Sequence, residues 1–338
     1  METISVHASR DYEVRIGSGL LTRTGELSAP LIKGRHAMIV SDSNVWPLYG
    51  SMVQASLEDA GFQVDHFVFP AGEQSKNTDT LVQLLTCLAQ KGMTRSDGVF
   101  ALGGGVTGDM AGLAASLYLR GIPCVQLPTS LLSVVDSSVG GKTAVDLPEG
   151  KNLVGTFTQP HLVLCDTNVL ATLSPQVEAE GWAEIIKYGM IRSQELINFL
   201  LENTPGTDIE WVIAHCVSIK RDVVAQDEQD NAVRQVLNFG HTIGHAIERC
   251  GGYSIYHGEG VAMGMAIMTL RQEMVVTVNA TIDYLSAAAA GSTLTTVGKV
   301  DRLGGKLAFC SAEMTDETGK VIVRAHCVMC FTGRALPL

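Results

Sequence analysis

The first half of the chain alternates short, β-branched apolar runs with amphipathic stretches, and this alternation restricts the fold more than any other feature. Four apolar runs are typical of buried strands, at residues 36–42, 64–69, 98–102 and 123–127. Two stretches carry apolar side chains at helical spacing, at residues 45–60 and 78–91. Strands that alternate with helices in this way form a parallel sheet with helices on its faces. The sequence therefore predicts an α/β fold for this half.

The second half has a different pattern. From Ser174 the strand signals fade and helical patterns begin, with Ser174 as a helix cap and Pro175 in the first turn. A chain of 338 residues is too long for one ordinary core, which favours two domains. We place an α/β domain at residues 1–168 and a mainly α-helical domain at residues 169–338. From about residue 275 the helical pattern breaks, and the segment VIVRAHCVMCF has the pattern of a strand.

The composition excludes several classes of partner. A formal charge of -11 would repel a phosphate backbone, so we expect no nucleic-acid partner. No stretch reaches the roughly 18 apolar residues of a spanning helix, and the first residues do not have the pattern of a signal peptide. We therefore expect a cytoplasmic protein with no membrane partner.

A glycine-rich turn follows the predicted strand at residues 98–102. Gly103, Gly105 and Gly108 satisfy the pattern G-x-G-x-x-G, and the apolar helix MAGLAASLYL comes next. Such a turn lets backbone N–H groups and a helix N-terminus approach a pyrophosphate, as in a Rossmann-like sheet. Asp42 ends an earlier strand, where its carboxylate would accept hydrogen bonds from a ribose diol, and the loop 72–76 follows another strand. The alternative interpretations are a tight turn with no ligand for the glycines, a helix cap or turn residue for Asp42, and a solvated loop for residues 72–76.

Three histidines indicate a metal site in the second half. His241 and His245 are four residues apart and project from one face of a helix, and His257 follows in HGEG. Three protein ligands would leave an open position, which is typical of a catalytic metal. Thr242 replaces the general base of the zinc-protease pattern H-E-x-x-H, so metal-assisted peptide hydrolysis is excluded. Glu184, one helical turn before Lys187 on an apolar surface, could provide a carboxylate ligand. The alternative is a pair of solvated histidines beside an unrelated third.

Several basic and polar residues indicate an anion site. The segment DSSVGGKT resembles a phosphate loop, yet Asp136 stands where a Walker sequence requires its first glycine. Lys142 in that segment and the pair Lys151-Asn152 lie in glycine-rich loops. Three further residues precede His241 and suit a phosphate or carboxylate, namely Lys220, Arg234 and Asn238. The alternative interpretation is that these lysines lie on a solvated surface and bind no anion.

In this order and spacing the motifs resemble those of the 3-dehydroquinate synthase family. They are GGGVTGD, DSSVGGKT, GKN at 150–152, EGWAEIIKYG, RQVLNFGHTIGHA and HGEGVAMGM, and the resemblance covers residues 1 to about 272. It implies a homodimer that uses NAD and a divalent metal, zinc or else cobalt. The implied reaction converts 3-deoxy-D-arabino-heptulosonate 7-phosphate to 3-dehydroquinate and phosphate in the shikimate pathway. NAD oxidises the C5 hydroxyl, phosphate leaves, and the hydride then returns, so no net oxidation results.

The resemblance also implies a role for individual residues. The metal ligands fall on Glu184, His241 and His257. The NAD site falls on Asp42, Gly72, Glu73, Gln74, Ser75, Lys76, Gly105, Val106, Thr107, Gly108, Asp109, Thr129, Ser130, Lys142, Lys151, Val169, Leu170, Ala171 and Thr172. Catalytic and substrate contacts fall on Arg120, Asp136, Lys142, Asn152, Lys187, Lys220, Arg234, Asn238 and His245.

The resemblance stops near residue 275. Members of the family carry two further helical elements and an Asp-Lys-Lys motif there, and Lys320 in TGKVIV is the nearest candidate for its lysine. A frame change, a degraded gene or real divergence would each produce this pattern. The alternatives to a synthase are therefore a related sugar-phosphate cyclase, a metal-dependent polyol dehydrogenase, and an inactive relative that binds NAD and metal.

Overall fold

The structure, a computed structural model, describes residues 1–250, 257–271, 273–286, 294–304 and 307–335. Contacts divide the chain into two compact units. The first unit contains Met1–Gly181 and Glu195–Arg234, and the second contains Trp182–Gln194 and Gln235–Leu338. The units are thus interleaved in sequence, because the segment 195–234 belongs to the first. The two domains predicted at residues 1–168 and 169–338 stay a prediction, since each of the two units consists of two separate segments of the sequence.

The first unit is built on a seven-stranded sheet, in the order β1-β2-β9-β6-β5-β3-β4. Its strands are β1 (Glu2–Val6), β2 (Tyr12–Gly17), β3 (His36–Asp42), β4 (Gln63–Phe69), β5 (Gly98–Gly103), β6 (Cys124–Pro128) and β9 (Leu162–Asp166). All neighbouring pairs are parallel except β1 with β2. A separate antiparallel ribbon joins β7 (Lys142–Leu147) and β8 (Gly150–Phe157). The predicted parallel sheet is confirmed, with strand ends within one residue of those predicted.

Helices cover both faces of this sheet, among them α2 (Ser51–Asp59), α3 (Thr78–Gln90) and α4 (Gly105–Leu117). The first unit also contains α1 (Thr24–Ser28), the start of α5 (Pro175–Arg192), most of α6 (Gln194–Glu202) and α7 (Ile209–Gln226). Helix α3 begins where the Asn77 side chain accepts a hydrogen bond from the Thr80 N–H at 2.9 Å. Its buried residues Leu81, Leu84 and Leu88 lie on one face, as the predicted helical spacing requires.

The alternation of side chains along each strand separates two cores. On β3, Met38 and Val40 pack with residues of α3 and α4, such as Leu84 and Met110. Ala37 and Ile39 point to the other face, where they pack with residues such as Leu57 of α2. Because both faces of the sheet are buried, its central strands are continuous apolar runs and not alternating ones.

The second unit combines helices with a second sheet. It contains the end of α5, together with α8 (His241–Cys250) and α9 (His257–Arg271). The strands β10 (Glu273–Tyr284), β11 (Leu294–Leu303), β12 (Leu307–Asp316) and β13 (Val321–Ala335) follow in the order β10-β13-β12-β11, all antiparallel. Strands β10 and β13 contact α8.

The predicted helical region therefore ends at Arg271, and the strand predicted at VIVRAHCVMCF is confirmed as part of β13. The helical description does not hold for the described residues after Arg271, where runs such as MVVTVNATI are rich in β-branched residues and form strands. Among the described helices, none has the length and apolar character needed to cross a membrane.

Candidate active site

The predicted NAD-binding segments follow the carboxyl ends of the parallel strands. Strands β3, β4, β5, β6 and β9 run in one direction, so these ends share one edge of the sheet. Strand β3 lies between β4 and β5, and the chain therefore changes direction at β3. A crevice opens at such a point in parallel sheets and is their usual ligand site. Asp42 ends β3 on one side of it, and Gly103 ends β5 on the other.

The glycines of the turn have different surroundings. A Cβ atom on Gly103 would lie 2.3 Å from the Thr107 hydroxyl, so this glycine makes room for the chain itself. At Gly104 the nearest atom would be the Ser130 hydroxyl at 3.4 Å, and at Gly105 the Ser137 hydroxyl at 3.3 Å. The space before Gly104 and Gly105 is thus not filled by neighbouring backbone. It lies at the N-terminus of α4, where N–H groups favour an anion.

Asp42 is held in place at the crevice. Its Oδ1 atom accepts hydrogen bonds from the N–H groups of Asn44 at 2.8 Å and Val45 at 3.1 Å. The Thr107 hydroxyl lies 3.4 Å from Oδ2. The Asp42 carboxylate therefore stabilises the turn after β3, as one of its two interpretations predicts. Its predicted contact with a ribose diol stays a prediction.

Lys76 brings three of the predicted segments together. This lysine is 5% exposed, and its Nζ donates to Asp109 Oδ2 at 2.6 Å and to Asn152 Oδ1 at 2.6 Å. Burial lowers the pKa of Lys76, but the carboxylates of Asp109 and Glu73 outweigh this effect and hold the pKa above its usual value. A second ion pair, between Lys151 and Glu73, spans 3.5 Å. Loop 72–76, helix α4 and strand β8 therefore meet through charged side chains.

The other predicted NAD residues lie at the same edge. Thr129 follows β6, and its N–H donates to Gly103 O at 2.9 Å, while the Ser130 hydroxyl bonds to that of Ser133 at 2.9 Å. The segment Val169–Thr172 lies in a short helical turn after β9. Gly72 has a φ of 113°, a conformation that residues with a side chain rarely adopt.

Two of the predicted anion-binding residues, Lys220 and Arg234, contact the loop 133–143. Lys220, on α7, forms an ion pair with Asp136 and also donates to its backbone oxygen at 2.8 Å. Arg234 is 1% exposed and donates to Gly140 O at 2.8 Å and Glu228 O at 2.7 Å. The Gly140 N–H donates to the Tyr12 hydroxyl at 3.1 Å. The predicted role of Arg234 in anion binding stays a prediction, and the described contacts place its guanidinium on backbone oxygens.

Lys142, near the end of the same loop, and Arg120 are both exposed. Lys142 is about half exposed and forms an ion pair with Asp230, which has a φ of 57°. Arg120 is exposed and follows the C-terminal end of α4, about 20 Å from the helix start at 1.5 Å per residue. It therefore lies near the opposite edge of the sheet and is not brought together with the other predicted residues of this unit.

The second unit brings the predicted metal ligands together. Helix α5 carries Glu184, α8 carries His241, and α9 begins at His257. Glu184 is 1% exposed, and its Oε1 atom lies 3.5 Å from His241 Nε2 and 3.6 Å from His257 Nε2. The Oε2 atom forms an ion pair with Lys187. One carboxylate oxygen and two imidazole nitrogens therefore converge, a donor set that fits zinc and other divalent ions and leaves a position open.

His245 belongs to the same cluster. Its ring centroid lies 5.4 Å from that of His241 and 5.5 Å from that of His257. One nitrogen from each of the three rings falls within 4.8 Å of the others. His245 is exposed, so its imidazole is accessible whether it binds the metal or contacts a substrate, and its predicted role as a polar site residue stays a prediction.

The two predicted ligand imidazoles differ in charge. Burial is the main cause that lowers the pKa of His241, to about 4, with Lys187 adding to the effect. Burial also lowers the pKa of His257, but the neighbouring carboxylates of Glu184 and Glu248 outweigh it and raise the pKa to about 10. His241 is thus neutral and ready to bind a cation, whereas His257 would release its proton on metal binding.

Glycines explain how α9 reaches α8. A Cβ on Gly244 would lie 2.9 Å from the backbone of Gly260, and one on Gly264 would lie 2.1 Å from Gly240 O. Gly240 also has a φ of 81°. The spacing of four residues in each helix places these glycines on one face, so the two backbones touch. The motifs GHTIGH and HGEGVAMG therefore encode a helix contact as well as ligands. The sequence interpretation did not include this contact.

Two other residues complete the description of this region. Asn238 is exposed and ends a short helical turn three residues before His241. Glu248, which the sequence interpretation missed, is 2% exposed and accepts a hydrogen bond from His257 Nδ1 at 2.7 Å. Its position three residues after His245 was the only signal in the sequence.

Solved structures of sugar cyclases share this architecture. A 2-deoxy-scyllo-inosose synthase complexed with carbaglucose-6-phosphate, NAD+ and Co2+ is 30% identical, with a TM-score of 0.72 over 78% of this chain and 73% of that one. A 2-epi-5-epi-valiolone synthase from Streptomyces hygroscopicus subsp. jinggangensis 5008, with NAD+ and Zn2+ bound, is 30% identical, with a TM-score of 0.71 over 78% and 75%. A glycerol dehydrogenase from Schizosaccharomyces pombe, 16% identical with a TM-score of 0.53, shares the fold alone.

Curated relatives and family models identify the family. The models of the 3-dehydroquinate synthase N-terminal and C-terminal regions match residues 66–180 and 181–298. The 3-dehydroquinate synthase of Streptococcus suis (strain 05ZYH33) is 50% identical over 260 residues, which are 75% of this chain and 73% of the relative. That of Streptococcus pneumoniae (strain ATCC 700669 / Spain 23F-1) has the same identity and coverage. The chain therefore belongs to the 3-dehydroquinate synthase family.

Proposed function

We propose that this chain is a 3-dehydroquinate synthase of the shikimate pathway. It converts 3-deoxy-D-arabino-heptulosonate 7-phosphate to 3-dehydroquinate and phosphate with NAD and a divalent metal. The observation that carries the proposal is the convergence of His241 Nε2 and His257 Nε2 on one oxygen of Glu184, in a chain 50% identical to curated synthases.

The residues present fit both cofactors. Glu184, His241 and His257 would hold the metal, and Asp42, the turn 104–109 and the loop 72–76 would hold NAD. When bound, NAD accepts and returns the hydride at C5 of the substrate, and the metal polarises the C5 oxygen. Zinc is proposed because two imidazoles and one carboxylate suit it, with cobalt as the alternative.

The protein's own side chains bind and orient the substrate. Lys220, Arg234 and Lys142 supply positive charge around the loop 133–143, which would stabilise phosphate as it leaves. Lys187 holds the Glu184 carboxylate through an ion pair, and this contact orients Glu184 Oε1 toward the two imidazoles. His245 presents an exposed imidazole beside those of His241 and His257.

We also propose that the enzyme is a cytoplasmic homodimer, on the basis of the family resemblance. Arg120 gives this proposal a structural reason. It lies near the opposite edge of the first sheet from the glycine turn, so an Arg120 that contacts substrate would have to serve the site of a second copy. Sedimentation of the purified protein would test the dimer, and a monomer with full activity would contradict it.

Three alternatives make different predictions. A polyol dehydrogenase would release NADH, and the basic residues around Asp136 favour a phosphorylated substrate over a small alcohol. Another sugar-phosphate cyclase would consume a different sugar phosphate. An inactive relative would bind NAD and metal without turnover, a result that the absent Asp-Lys-Lys motif would explain.

The deciding experiment is a coupled assay of phosphate release from the heptulosonate phosphate by purified protein, with NADH absorbance recorded together. A synthase should release phosphate without accumulating NADH. Stoichiometric NADH would favour the dehydrogenase. If NAD and metal both bind but no phosphate is released, the inactive relative is correct.

A further inference from the structure

A buried carboxylate lies directly behind the proposed metal ligands. Glu248 is 2% exposed and lies on α8, seven residues after His241 and three after His245. This spacing places all three side chains along one side of the helix. Its Oε1 atom lies 2.7 Å from Nδ1 of His257, which begins α9. A buried carboxylate is costly unless hydrogen-bonded, so this contact has an energetic reason to persist.

The hydrogen bond joins the imidazole on the side away from Glu184. His257 Nε2 lies 3.6 Å from Glu184 Oε1, while Nδ1 is directed to Glu248. A proton on Nδ1 that is donated to Glu248 leaves the lone pair on Nε2, the atom that faces the other proposed ligands. The contact therefore selects the tautomer and the ring orientation that metal binding requires.

His241 provides an internal comparison. Its Nδ1 lies 3.2 Å from Phe239 O, and its Nε2 also faces Glu184 Oε1. The backbone thus orients one imidazole and a side chain orients the other. Substitution of a single side chain can therefore remove the contact that orients His257, but not the contact that orients His241.

We propose that Glu248 is a positioning residue of the metal site, which accepts the Nδ1–H of His257 and holds its Nε2 toward the metal. The proposal rests on the proposed function, because it takes Glu184, His241 and His257 as the ligands. Glu248 itself is not a ligand. The contact between α8 and α9 at Gly244 and Gly260 keeps the carboxylate and the imidazole within reach.

The test measures metal affinity of the metal-free protein by competition with a chromophoric chelator, first with Zn2+ and then with Co2+. Glu248→Met removes the acceptor and conserves volume, whereas Glu248→Gln keeps an acceptor oxygen without the charge. Loss of such a supporting contact typically weakens metal affinity about 10–100-fold. We expect that weakening in Glu248→Met and a smaller one in Glu248→Gln.

Glu313→Gln and Glu313→Met are the matched controls. Glu313 belongs to the same unit and bonds to Arg324 at 2.6 Å on an exposed part of the C-terminal sheet. Its variants should bind metal as the wild type does. Circular dichroism would show whether each variant folds, and the spectrum of the Co2+-loaded protein would report a changed ligand geometry.

The outcomes separate this inference from the proposed function. If His257→Ala loses metal while both folded Glu248 variants bind it as tightly as the wild type, the positioning role is wrong and the metal site stands. If His257→Ala keeps full affinity, the proposed ligand set and the positioning role are both wrong. Should Glu248→Met fail to fold, Glu248→Gln decides, because an unchanged affinity and Co2+ spectrum would contradict the proposal.

Discussion

The two units build their candidate sites from different materials. In the first unit the main chain provides the site, since the turn after β5 and the N-terminus of α4 offer N–H groups, and only serine side chains lie close to Gly104 and Gly105. In the second unit side chains from three helices provide it, namely Glu184, His241 and His257. A main-chain site recognises a diphosphate group through shape and dipoles, whereas a side-chain site selects a metal through its donor atoms.

Glycine has a different function in each region. At the start of α4, Gly104 and Gly105 face serine side chains and no neighbouring backbone, while Gly244 and Gly260 let the backbones of two helices touch. A substitution in the first region should therefore act on ligand binding. A substitution in the second should act on helix packing and, through it, on the metal ligands.

The largest expected effect is in the side-chain site. His257→Ala should reduce bound metal from about one ion per chain to almost none, because it removes one of three proposed ligands. Phosphate release should fall by at least about 100-fold, since loss of a mere supporting residue already costs 10–100-fold. NAD affinity should stay unchanged. Metal analysis measures the bound metal, and calorimetry measures the NAD affinity. Full metal occupancy in the variant would contradict the ligand assignment.

The C-terminal sheet provides the second prediction. Residues 273–284, 294–303, 307–316 and 321–335 form strands, whereas the family resemblance implies helices and an Asp-Lys-Lys motif in this part of the chain. If a lysine there stabilises charge on the substrate, replacing the segment after about residue 275 with that of a family member should raise phosphate release roughly 100-fold.

Metal and NAD binding should not change in this chimaera. A native chain that is already as fast would show that the existing segment supplies an equivalent group, and Lys320 is then the first residue to substitute. Lys320→Ala in the native chain is the matched measurement.

The third prediction concerns the main-chain site. Gly105→Val should weaken NAD binding by more than about tenfold, because its methyl groups would occupy the space that the backbone leaves for a pyrophosphate. Thermal unfolding is recorded beside it, because a Cβ at this residue would lie 3.3 Å from the Ser137 hydroxyl. Gly103→Ala is the contrast, since its Cβ would lie 2.3 Å from the Thr107 hydroxyl and should lower stability. Unchanged NAD affinity in folded Gly105→Val would assign the turn another role.

The smallest expected effect tests the helix contact. Gly240→Ala places a Cβ 2.7 Å from Val261 O at a residue with a φ of 81°. We expect a loss of about 1–3 kcal/mol in the free energy of unfolding, together with weaker metal binding. Chemical denaturation and chelator competition measure the two. If the variant loses metal affinity but keeps its stability, this glycine acts on ligand binding and not on helix packing, and the proposed difference between the two regions is wrong.

Features with a local cause were predictable from the sequence. Buried strands of the parallel sheet are short apolar runs, so their ends were placed within one residue. The turn at Gly103–Gly108 and the pair His241 and His245 are encoded by spacing within one element. The residues of these motifs were therefore found without knowledge of tertiary contacts.

Features that depend on contacts between elements were not predictable. Glu248 meets His257 only because α8 and α9 touch, and no spacing rule links residues on different helices. The return of residues 195–234 to the first unit has the same cause. Arg120 follows α4 in sequence near other predicted residues, yet the length of the helix carries it away from them. Of the C-terminal strands, part of β13 was predicted from the apolar run VIVRAHCVMCF, whereas β10, β11 and β12 were not.

The order of the first sheet has a consequence for synthesis of the protein. Strand β2 is almost entirely buried, and its parallel neighbour is β9, so that Glu13 pairs with Leu162. Ribosomes add about 5–20 residues per second, and roughly 8 to 30 s therefore separate the two strands. During that interval only β1 is available to pair with β2, and the apolar side chains of β2 are not yet buried. In contrast, β11, β12 and β13 pair with immediate neighbours in sequence and close as they emerge. We therefore expect the nascent chain to need chaperones mainly at its N-terminal hairpin.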